Sequence, residues 1–445
     1  MPEPQHAGDY NIVKFIVHSH IHEDPINIAM HIGEIEIFEN VELPYLTGTF
    51  NMKDDLSIYD GISWNGTEMI DITFESPENI GNYITKRFTV AEIVDTKKAT
   101  DNVEAAEIKI IETNAFNNSL MQINKAYSGT PAQIIKTILK DNLDMDMQED
   151  DMPNIKPSQK PMKFVVPFMS PFAACEEIRK RMSTDLGLPY FLYSTLNNKH
   201  VQLKSLEEML ITPSINSSAP YRFSQSFNQS TSSIAADENV INVSAYSSMH
   251  KQNTLALMKS GSTAGQHSIT DMTTGQTVNY NFDVSDLFAE MAQIQLIKKD
   301  TIPVHHSLYK FNGKMMNEYN TKNIHKIVMN DTYIGFNNIH EENSAAAFRL
   351  NACNNALRNM LFKTSMNIRV PGRLYLIGAN ASLGRQIDFI YPSNNTIPEG
   401  QSNVTAAEVE DKKRSGVFII YSARHHFNDQ QHNVDMTCVK LGNRR

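Results

Sequence analysis

Three histidines at alternating positions are the first candidates for chemistry in this 445-residue sequence. His18, His20 and His22 occupy every second position of a predicted strand, which places three imidazoles on one face, with Asp24 next in line. Neutral imidazoles bind zinc or iron, and this spacing permits it. A solvated polar face is the commoner reason for such a pattern, and no further ligand cluster accompanies it. We therefore assign no metal ligand here, and elemental analysis of the purified protein tests that choice.

The other candidates for catalysis lack a supporting pattern. The neighbours His305-His306 and His425-His426 point to opposite sides of a strand, so neither pair can chelate one ion. The glycine-containing stretch 261–265 lacks the lysine and hydroxyl of a phosphate-binding loop and predicts a turn. Carboxylates such as Glu34 and Glu36 alternate along a strand, as on a solvated face, and no G-x-S-x-G elbow is present. We assign no catalytic residue and no cofactor, and we predict that the protein is not an enzyme.

The overall composition predicts several well-packed domains and no tight binding of nucleic acid. Hydrophobic residues make up 41% and charged residues 20% of the chain. The net charge is -10, without a basic run, which suits the wall of a conduit better than a nucleic-acid site. Cys175, Cys353 and Cys438 are odd in number and far apart, so we expect free buried thiols and assembly in a cytoplasm. We expect neither a secretory signal nor a membrane span.

Period-two alternation dominates the first quarter of the chain. It predicts half-buried antiparallel strands, which are clearest at Glu34–Phe38, Met69–Phe74, Phe88–Val94 and Ile108–Ile111. Turn-forming stretches such as Asn65-Gly66 separate these strands. We therefore predict a first antiparallel β-barrel domain over residues 8–126.

Two helix-start signals indicate that residues 127–215 form a small α+β domain. Thr130-Pro131-Ala132-Gln133 has the pattern of a capping box with proline at the first helical position, and an apolar stripe continues to Leu143. Ser170-Pro171 repeats the signal and predicts a second capped helix that continues to Gly187. A hairpin is predicted from Tyr190–Tyr193 and His200–Leu203 around Asn197-Asn198.

Strands return in the second half of the chain. They are predicted at Val240–Ser247, Leu255–Met258, His267–Thr270, Thr277–Phe282, Ile368–Val370, Leu374–Ile377, Gln386–Tyr391, Val417–Tyr421 and Val434–Val439. A helix capped by Ser344 interrupts them, and we expect the polar loop 393–416 to make contacts or to be disordered. We predict a second β-barrel over 216–250 and 365–445, with a smaller α+β segment, 251–364, inserted. We hypothesise that the two β-rich regions are two versions of one barrel, which a differing strand order would refute.

The order of these segments carries a resemblance to a known family. It rests on residues 42–77, 87–99, 124–143, 161–182 and 190–210, and on IRVPGRLYLIGANASLGRQIDFIYP and SGVFIIYSARHHFNDQQHNVDMTCVKL near the end. Together they resemble the baseplate hub proteins of contractile-tailed phages, which are related to the first half of type VI secretion spike proteins. The resemblance implies a β-rich α+β fold with two tube-protein-like antiparallel β-barrel domains, an intervening α+β domain and a smaller inserted α+β domain.

The same resemblance implies a structural role in the virion, at the tail baseplate. It implies a homotrimeric ring whose two barrels per subunit mimic six-fold symmetry, and which joins the six-fold tail tube to the three-fold central spike. The implied partners are further copies of the chain, the central spike protein, the tail tube protein or a tube initiator, baseplate wedge proteins and the tape measure protein. The resemblance also implies that DNA passes through the lumen without specific binding. The sequence stops soon after the last predicted strand, so we expect the spike to be a separate protein.

Two alternatives stay open at this stage. One is an enzyme, either a metal-dependent hydrolase that uses His18, His20 and His22 or a cell-wall-degrading component of the tail. The other is the hub of a genome-free contractile injection system, which neighbouring capsid genes would distinguish from a phage.

Overall fold

A computed structural model gives the fold of most of the chain. It describes residues 11–54, 58–75, 83–100, 103–148, 162–196, 200–217, 220–223, 241–243, 245–250, 254–272, 275–298, 301–303, 310–315, 318–319, 323–328, 335–336, 345–361, 364–372, 383–392, 411, 414–428 and 431–444. Across these ranges, no helix combines the length and the apolar character that crossing a membrane requires.

The first part of the chain is almost entirely strand, as predicted. Its strands are β1 Asn11–His18, β2 Ile26–Asn27, β3 Ile32–Asn40, β4 Thr47–Asp54, β5 Met69–Glu75, β6 Tyr83–Thr100 and β7 Val103–Glu112. A 3-10 turn at Ala29–His31 and the short helix α1 Ile58–Ile62 connect them. Burial alternates along β4, which packs Gly48, Phe50 and Met52 inward, as period-two patterning requires.

The middle part alternates helices and short strands. In chain order the elements are α2 Thr113–Leu120, β8 Ile123–Gly129, α3 Pro131–Leu143, β9 Met147–Gln148, β10 Met162–Met169, α4 Pro171–Arg179, β11 Tyr190–Tyr193, β12 Val201–Ser205 and α5 Leu206–Ile211. The capping box of α3 is confirmed, because the Gln133 backbone N–H donates to Thr130 Oγ1 and the Thr130 N–H donates to Gln133 Oε1. The predicted hairpin is confirmed as the antiparallel pair β11 and β12.

The remaining elements of the described residues lie in the second half of the chain. They are β13 Tyr221–Phe223, β14 Ile241–Val243, β15 Ala245–His250, α6 Thr254–Ser260, β16 Ala264–Asp271, β17 Thr277–Asp283, α7 Val284–Gln293, β18 Thr301–Pro303, β19 Lys310–Phe311, β20 Lys314–Met315, β21 Asn323–Val328, β22 Gly335–Phe336, α8 Ala345–Leu361, β23 Thr364–Pro371, β24 Gln386–Ile390, β25 Gly416–Asn428, β26 Gln431–Val439 and β27 Gly442–Arg444.

Strands from both ends of the chain join in one 14-stranded sheet. Its main path runs β14-β13-β24-β25-β3-β4-β7-β6-β5-β1-β2, and β26, β23 and β15 continue from the other side of β25. The two β-rich regions predicted as separate barrels are therefore continuous through the hydrogen-bonded pair β3 and β25.

The same strand order occurs twice in this sheet. We call β3–β7 the first repeat and β15 with β23–β26 the second repeat. The spatial order is β5-β6-β7-β4-β3 in the first repeat and β24-β25-β26-β23-β15 in the second, and all neighbours are antiparallel. Strands at the same place in these two orders are also at the same place in chain order, so β3 corresponds to β15 and β4–β7 correspond to β23–β26. The flanking strand differs, because β1 is antiparallel to β5 whereas β13 is parallel to β24. The order required by the duplication hypothesis is present.

Among the described residues, three apolar cores hold the elements together. One lies within the first repeat and its flanking strands, and a second lies beneath α3 and α4 of the middle part. The third combines the second repeat with the inserted helices α7 and α8 and with β11 and α5. The inserted segment therefore shares its core with the second repeat, and the domain boundaries at 126/127, 215/216 and 250/251 stay a prediction.

Two local predictions differ from the structure. Leu255–Met258 lies in helix α6 rather than in a strand, because an apolar run of four residues fits either element. The second helix of the middle part ends at Arg179 instead of continuing to Gly187, and Ser170 makes no side-chain cap. Asn118 Oδ1 from α2 accepts the Phe172 N–H at 2.8 Å, so another element caps α4.

Some predictions fall outside the described residues. These are His305-His306, Ser344, Asn197-Asn198, the strand at Leu374–Ile377 and all of the loop 393–416 except 411 and 414–416.

Candidate functional site

The structure separates the three alternating histidines. Strand β1 ends at His18, so His20 and His22 lie in the following loop, and the prediction of one shared strand face is wrong. Each Nε2 atom has its own partner: Asp71 Oδ2 at 3.0 Å, Thr67 Oγ1 at 2.7 Å and the Gly61 carbonyl at 2.9 Å, respectively. The three imidazoles therefore do not converge on one point.

The junction between the two repeats is the feature that joins the chain's distant ends. We call the pair of β3 and β25 the seam. It runs antiparallel over seven residue pairs, from Ser422 opposite Asn40 to Asn428 opposite Glu34. Beyond it, the Val41 N–H donates to the Tyr421 carbonyl at 3.1 Å. The long strand β25 thus pairs with β24 through its first part and with β3 through its second part, opposite β26.

A line of buried polar groups lies on the inner side of the seam. His425 Nδ1 and His432 Nε2 are 3.1 Å apart, and His425 Nε2 is 3.4 Å from Glu39 Oε2. The other oxygen of Glu39 accepts the Leu196 N–H from the middle part. Burial and the neighbouring imidazoles hold the pKa of His432 well below its usual value. Polar bonds therefore specify how β3, β25 and β26 meet inside an apolar core.

The outer side of the seam carries charges that are paired with one another. Arg424 on β25 binds Glu36 on β3, and His426 Nδ1 lies 3.1 Å from Glu34 Oε1 and 3.3 Å from Glu36 Oε1. On the next strands, two bonds of 2.5 and 2.7 Å join Arg369 and Asp435. The cross-strand pairs lie over four adjacent strands.

The same surface contains one candidate metal group. Within the described ranges, Glu34, Glu36 and His426 bring their ligand atoms within 4.8 Å of one another. The guanidinium of Arg424 already contacts Glu36, and the His426 ring nitrogen lies against both carboxylates. In this structure the three residues belong to an ion-pair network across the seam.

A buried arginine holds the middle part to the loop that follows β3. Arg179, 1% exposed, donates from Nη2 to Glu42 Oε2 at 2.5 Å and from Nε to Glu176 Oε2 at 2.6 Å. Its Nη1 donates to the Tyr190 carbonyl at 2.7 Å. Arg358 from α8 donates to the same carbonyl at 3.2 Å, and burial lowers its pKa. One cluster thus ties α4, β11 and α8 to the loop after β3.

The cavities and thiols of the described residues form no reaction centre of their own. A cavity of about 510 Å³ lies between α7 and strand β25, and one of about 770 Å³ lies on the outer face across β3, β15, β23, β25 and β26. Cys175, Cys353 and Cys438 are free and buried, as predicted, and burial raises the thiol pKa of Cys175 and Cys438.

Sequence reasoning treated the partners of the seam separately. It interpreted Glu34 and Glu36 as a solvated face and the histidines at 425 and 426 as strand residues with opposite orientations. The opposite orientations are confirmed, since His425 is buried and His426 lies on the outer side beside the two glutamates. Glu34 and Glu36 are less solvated than predicted: they keep 30% and 16% of their side-chain surface in solvent, because His426 and Arg424 pair with them. Alternating charges in both strands were the available signal, but a separation of 388 residues between Arg424 and Glu36 hid their pairing.

Comparisons with known proteins identify this fold in solved structures. The chain superposes on the tail protein from Neisseria meningitidis MC58 with 9% identity, 97% of each chain covered and a TM-score of 0.50. It superposes on the 43 kDa tail protein of prophage MuSo2 from Shewanella oneidensis with 9% identity, 96% of this chain and 98% of that chain covered, and a TM-score of 0.53. The predicted β-rich α+β class and the resemblance to phage tail proteins are confirmed at the level of the fold.

Other comparisons are more distant. The E. coli c3393 protein, a component of the type VI secretion system similar to the T4 bacteriophage tail proteins gp27 and gp5, gives 7% identity over 96% of this chain and 79% of that chain, with a TM-score of 0.40. No family model and no curated sequence matches the chain.

Proposed function

We propose that the chain is a structural subunit of a phage-tail baseplate that works as a homotrimeric hub. Three copies form a ring that joins the six-fold tail tube to the three-fold central spike and nucleates the tube. The ring also contacts wedge proteins and the tape measure protein, and DNA passes through its lumen. The two tail proteins that share the fold over nearly their whole length support a structural role in a tail.

The observation that carries this proposal is the doubled strand order. Each chain supplies two repeats of one strand order, and the seam joins them edge to edge within one sheet. Three such chains around one axis present six similar units, so one face can match a six-fold partner while the chains obey three-fold symmetry. A single chain with one repeat would lack this property.

The paired charges on the outer side of the seam and of the neighbouring strands suit the wall of a passage. Arg369, Arg424 and Lys109 each bind a carboxylate on a neighbouring strand, Asp435, Glu36 and Glu92 respectively. Cations that are already paired attract phosphates less than free cations do, so DNA meets few points of retention. This face is the one that we propose to line the lumen.

The proposal includes no catalytic activity. The rival metal-dependent hydrolase required His18, His20 and His22 to act together, and their separate partners at Asp71, Thr67 and Gly61 argue against such a site. Digestion of a cell wall then belongs to a partner protein.

Mass measurement and electron microscopy of the purified chain test the proposal. We expect a species of three times the chain mass and triangular rings with a central hole. The matched control replaces His18, His20 and His22 by alanine, which removes the rival site and leaves the ring mass and metal content unchanged. A stable monomer, both alone and mixed with the spike protein, overturns the proposal.

A further inference from the structure

We infer that neighbouring copies join through a second seam, in which the open edge of β6 in one copy pairs antiparallel with the open edge of β15 in the next. This inference rests on the proposed ring and identifies the surfaces that close it. The partner at each edge is a second copy of this chain, and the internal seam is the template.

Strand β6 occupies the same place in the first repeat as β25 in the second. The pairing of β5 with β6 ends at Thr89, and a bulge follows between Val90 and Glu92. The pairing of β24 with β25 ends at Ile419, and a bulge follows between Ile420 and Ser422.

A corresponding backbone hydrogen bond in each repeat supports this equivalence. The Val90 N–H donates to the Glu68 carbonyl and the Ile420 N–H to the Arg385 carbonyl, both at 3.0 Å. After this point β25 turns its free side to β3. We therefore expect β6 to offer the same side after Val90.

Strand β15 corresponds to β3 by the same reasoning. Thr49 on β4 lies opposite Glu36, and Asn367 on β23 lies opposite Ser247. Thr49 pairs with Lys109 on β7, and Asn367 pairs with Thr437 on β26. Lys109 and Thr437 correspond, because each is the first residue that β6 or β25 pairs with after its bulge. Ser247 therefore occupies the position that Glu36 has in the seam.

Both edges are open in the single chain. Within the described residues, β15 pairs with β23 alone, and β6 beyond Val90 pairs with β7 alone. Positions 91–98 are exposed or half-exposed, and Val94 has 42% of its surface in solvent. A long open edge beside an exposed valine is a template for pairing with another strand.

The internal seam also fixes the register of the second one. Lys97 lies opposite Ala105 on β7, just as His426 lies opposite Asn433 on β26. Strand β6 has an extra bulge between Ile93 and Asp95, so we match its residues to those of β25 through their partners on β7 and β26. Lys97 of one copy then faces Ser247 of the next, as His426 faces Glu36.

In a closed ring, this arrangement pairs the open edges of β6 and β15 in every copy. Each chain contains one internal seam and contributes β6 to one neighbour and β15 to the other. A head-to-tail contact of this kind closes when the rotation per copy divides a full turn, and it leaves no strand of either repeat available for aggregation.

A disulfide trap tests the second seam. The variant Lys97→Cys/Ser247→Cys places thiols on facing residues of different copies, and Lys97→Cys/Ser248→Cys is the matched control, since Ser248 points to the opposite face of the strand. Glu36→Cys/His426→Cys reports on oxidation across the internal seam. The natural cysteines are buried and do not compete.

Oxidation with diamide, followed by a non-reducing gel and a native mass measurement, gives the readout. We expect covalent dimers and trimers from Lys97→Cys/Ser247→Cys, at least tenfold more than from the Ser248 control. A ring of three chain masses without these bands overturns the second seam and leaves the proposed function standing. A chain that stays monomeric overturns both.

Discussion

Removing the guanidinium of Arg179 tests whether this buried group holds the middle part of the chain to the loop after β3. Arg179→Met keeps most of the apolar stem but deletes the donors to Glu42, Glu176 and the Tyr190 carbonyl. Removing one partner of a buried pair typically costs about 3–5 kcal/mol. Glu42 and Glu176 keep 27% and 35% of their side-chain surface in water, which can rehydrate them. We therefore expect a loss of about 3 kcal/mol, at the lower end of that range.

Urea denaturation followed by near-UV circular dichroism measures this loss. With a dependence of about 2–3 kcal/mol per M urea, the midpoint falls by about 1 M. The control is Arg181→Met, because Arg181 follows the same helix, is 38% exposed and binds Glu177 at 3.4 Å. A surface pair of that kind contributes less than about 1 kcal/mol. Equal midpoints for the two variants would refute the role given to Arg179.

Three further predictions follow from the seams and turns. Ser247→Lys places a like charge opposite Lys97 of the next copy and should weaken each second seam by about 0.2–1 kcal/mol. The control Ser247→Glu should preserve the ring, and mass photometry of diluted samples compares the ring fractions of the two variants. The lowered pKa of His432 keeps it neutral when folded, so its contribution to stability is present above about pH 6.5 and is lost as the pH falls below that value, with a slope of up to about 1.4 kcal/mol per pH unit. His432→Gln should flatten the acid limb of a stability–pH curve. Gly187→Ala puts a methyl group 2.6 Å from a side chain of α8 at φ +86° and should cost about 3 kcal/mol. In thermal unfolding, the control Gly66→Ala, at φ +88° with open space around it, should cost only about 1 kcal/mol.

Local signals in the sequence predicted most individual elements. The capping box at Thr130 and the alternation in Met69–Phe74 depend on neighbouring residues, and both are confirmed. Helix α7 was missed although Asp283 caps it and its apolar residues recur at helical spacing. The alternating pattern at residues 18–22 failed for another reason, because β1 ends at His18 and residues 19–25 form the loop that returns the chain to β2, the partner of β1.

The seam lay beyond sequence reasoning because its partners are far apart in the chain. Neither β3 nor β25 carries a mark that specifies the other, and each has the alternation of any half-buried strand. The buried contact of Glu39 with His425 joins strands of different repeats, so no local sequence pattern predicts it. The doubled order was also hidden, since the two repeats share topology without a visible sequence period.

The inserted segment lies in the connection between β15 and β23 of the second repeat. The second repeat carries its helices between β15 and β23, where the first repeat crosses from β3 to β4 within residues 41–46. Under the duplication hypothesis, the second repeat has gained an insertion at a connection that stays short in the first repeat. In the proposed ring, repeats with and without the inserted segment would alternate around the circumference, and this difference would give a three-fold partner a defined orientation on six similar units.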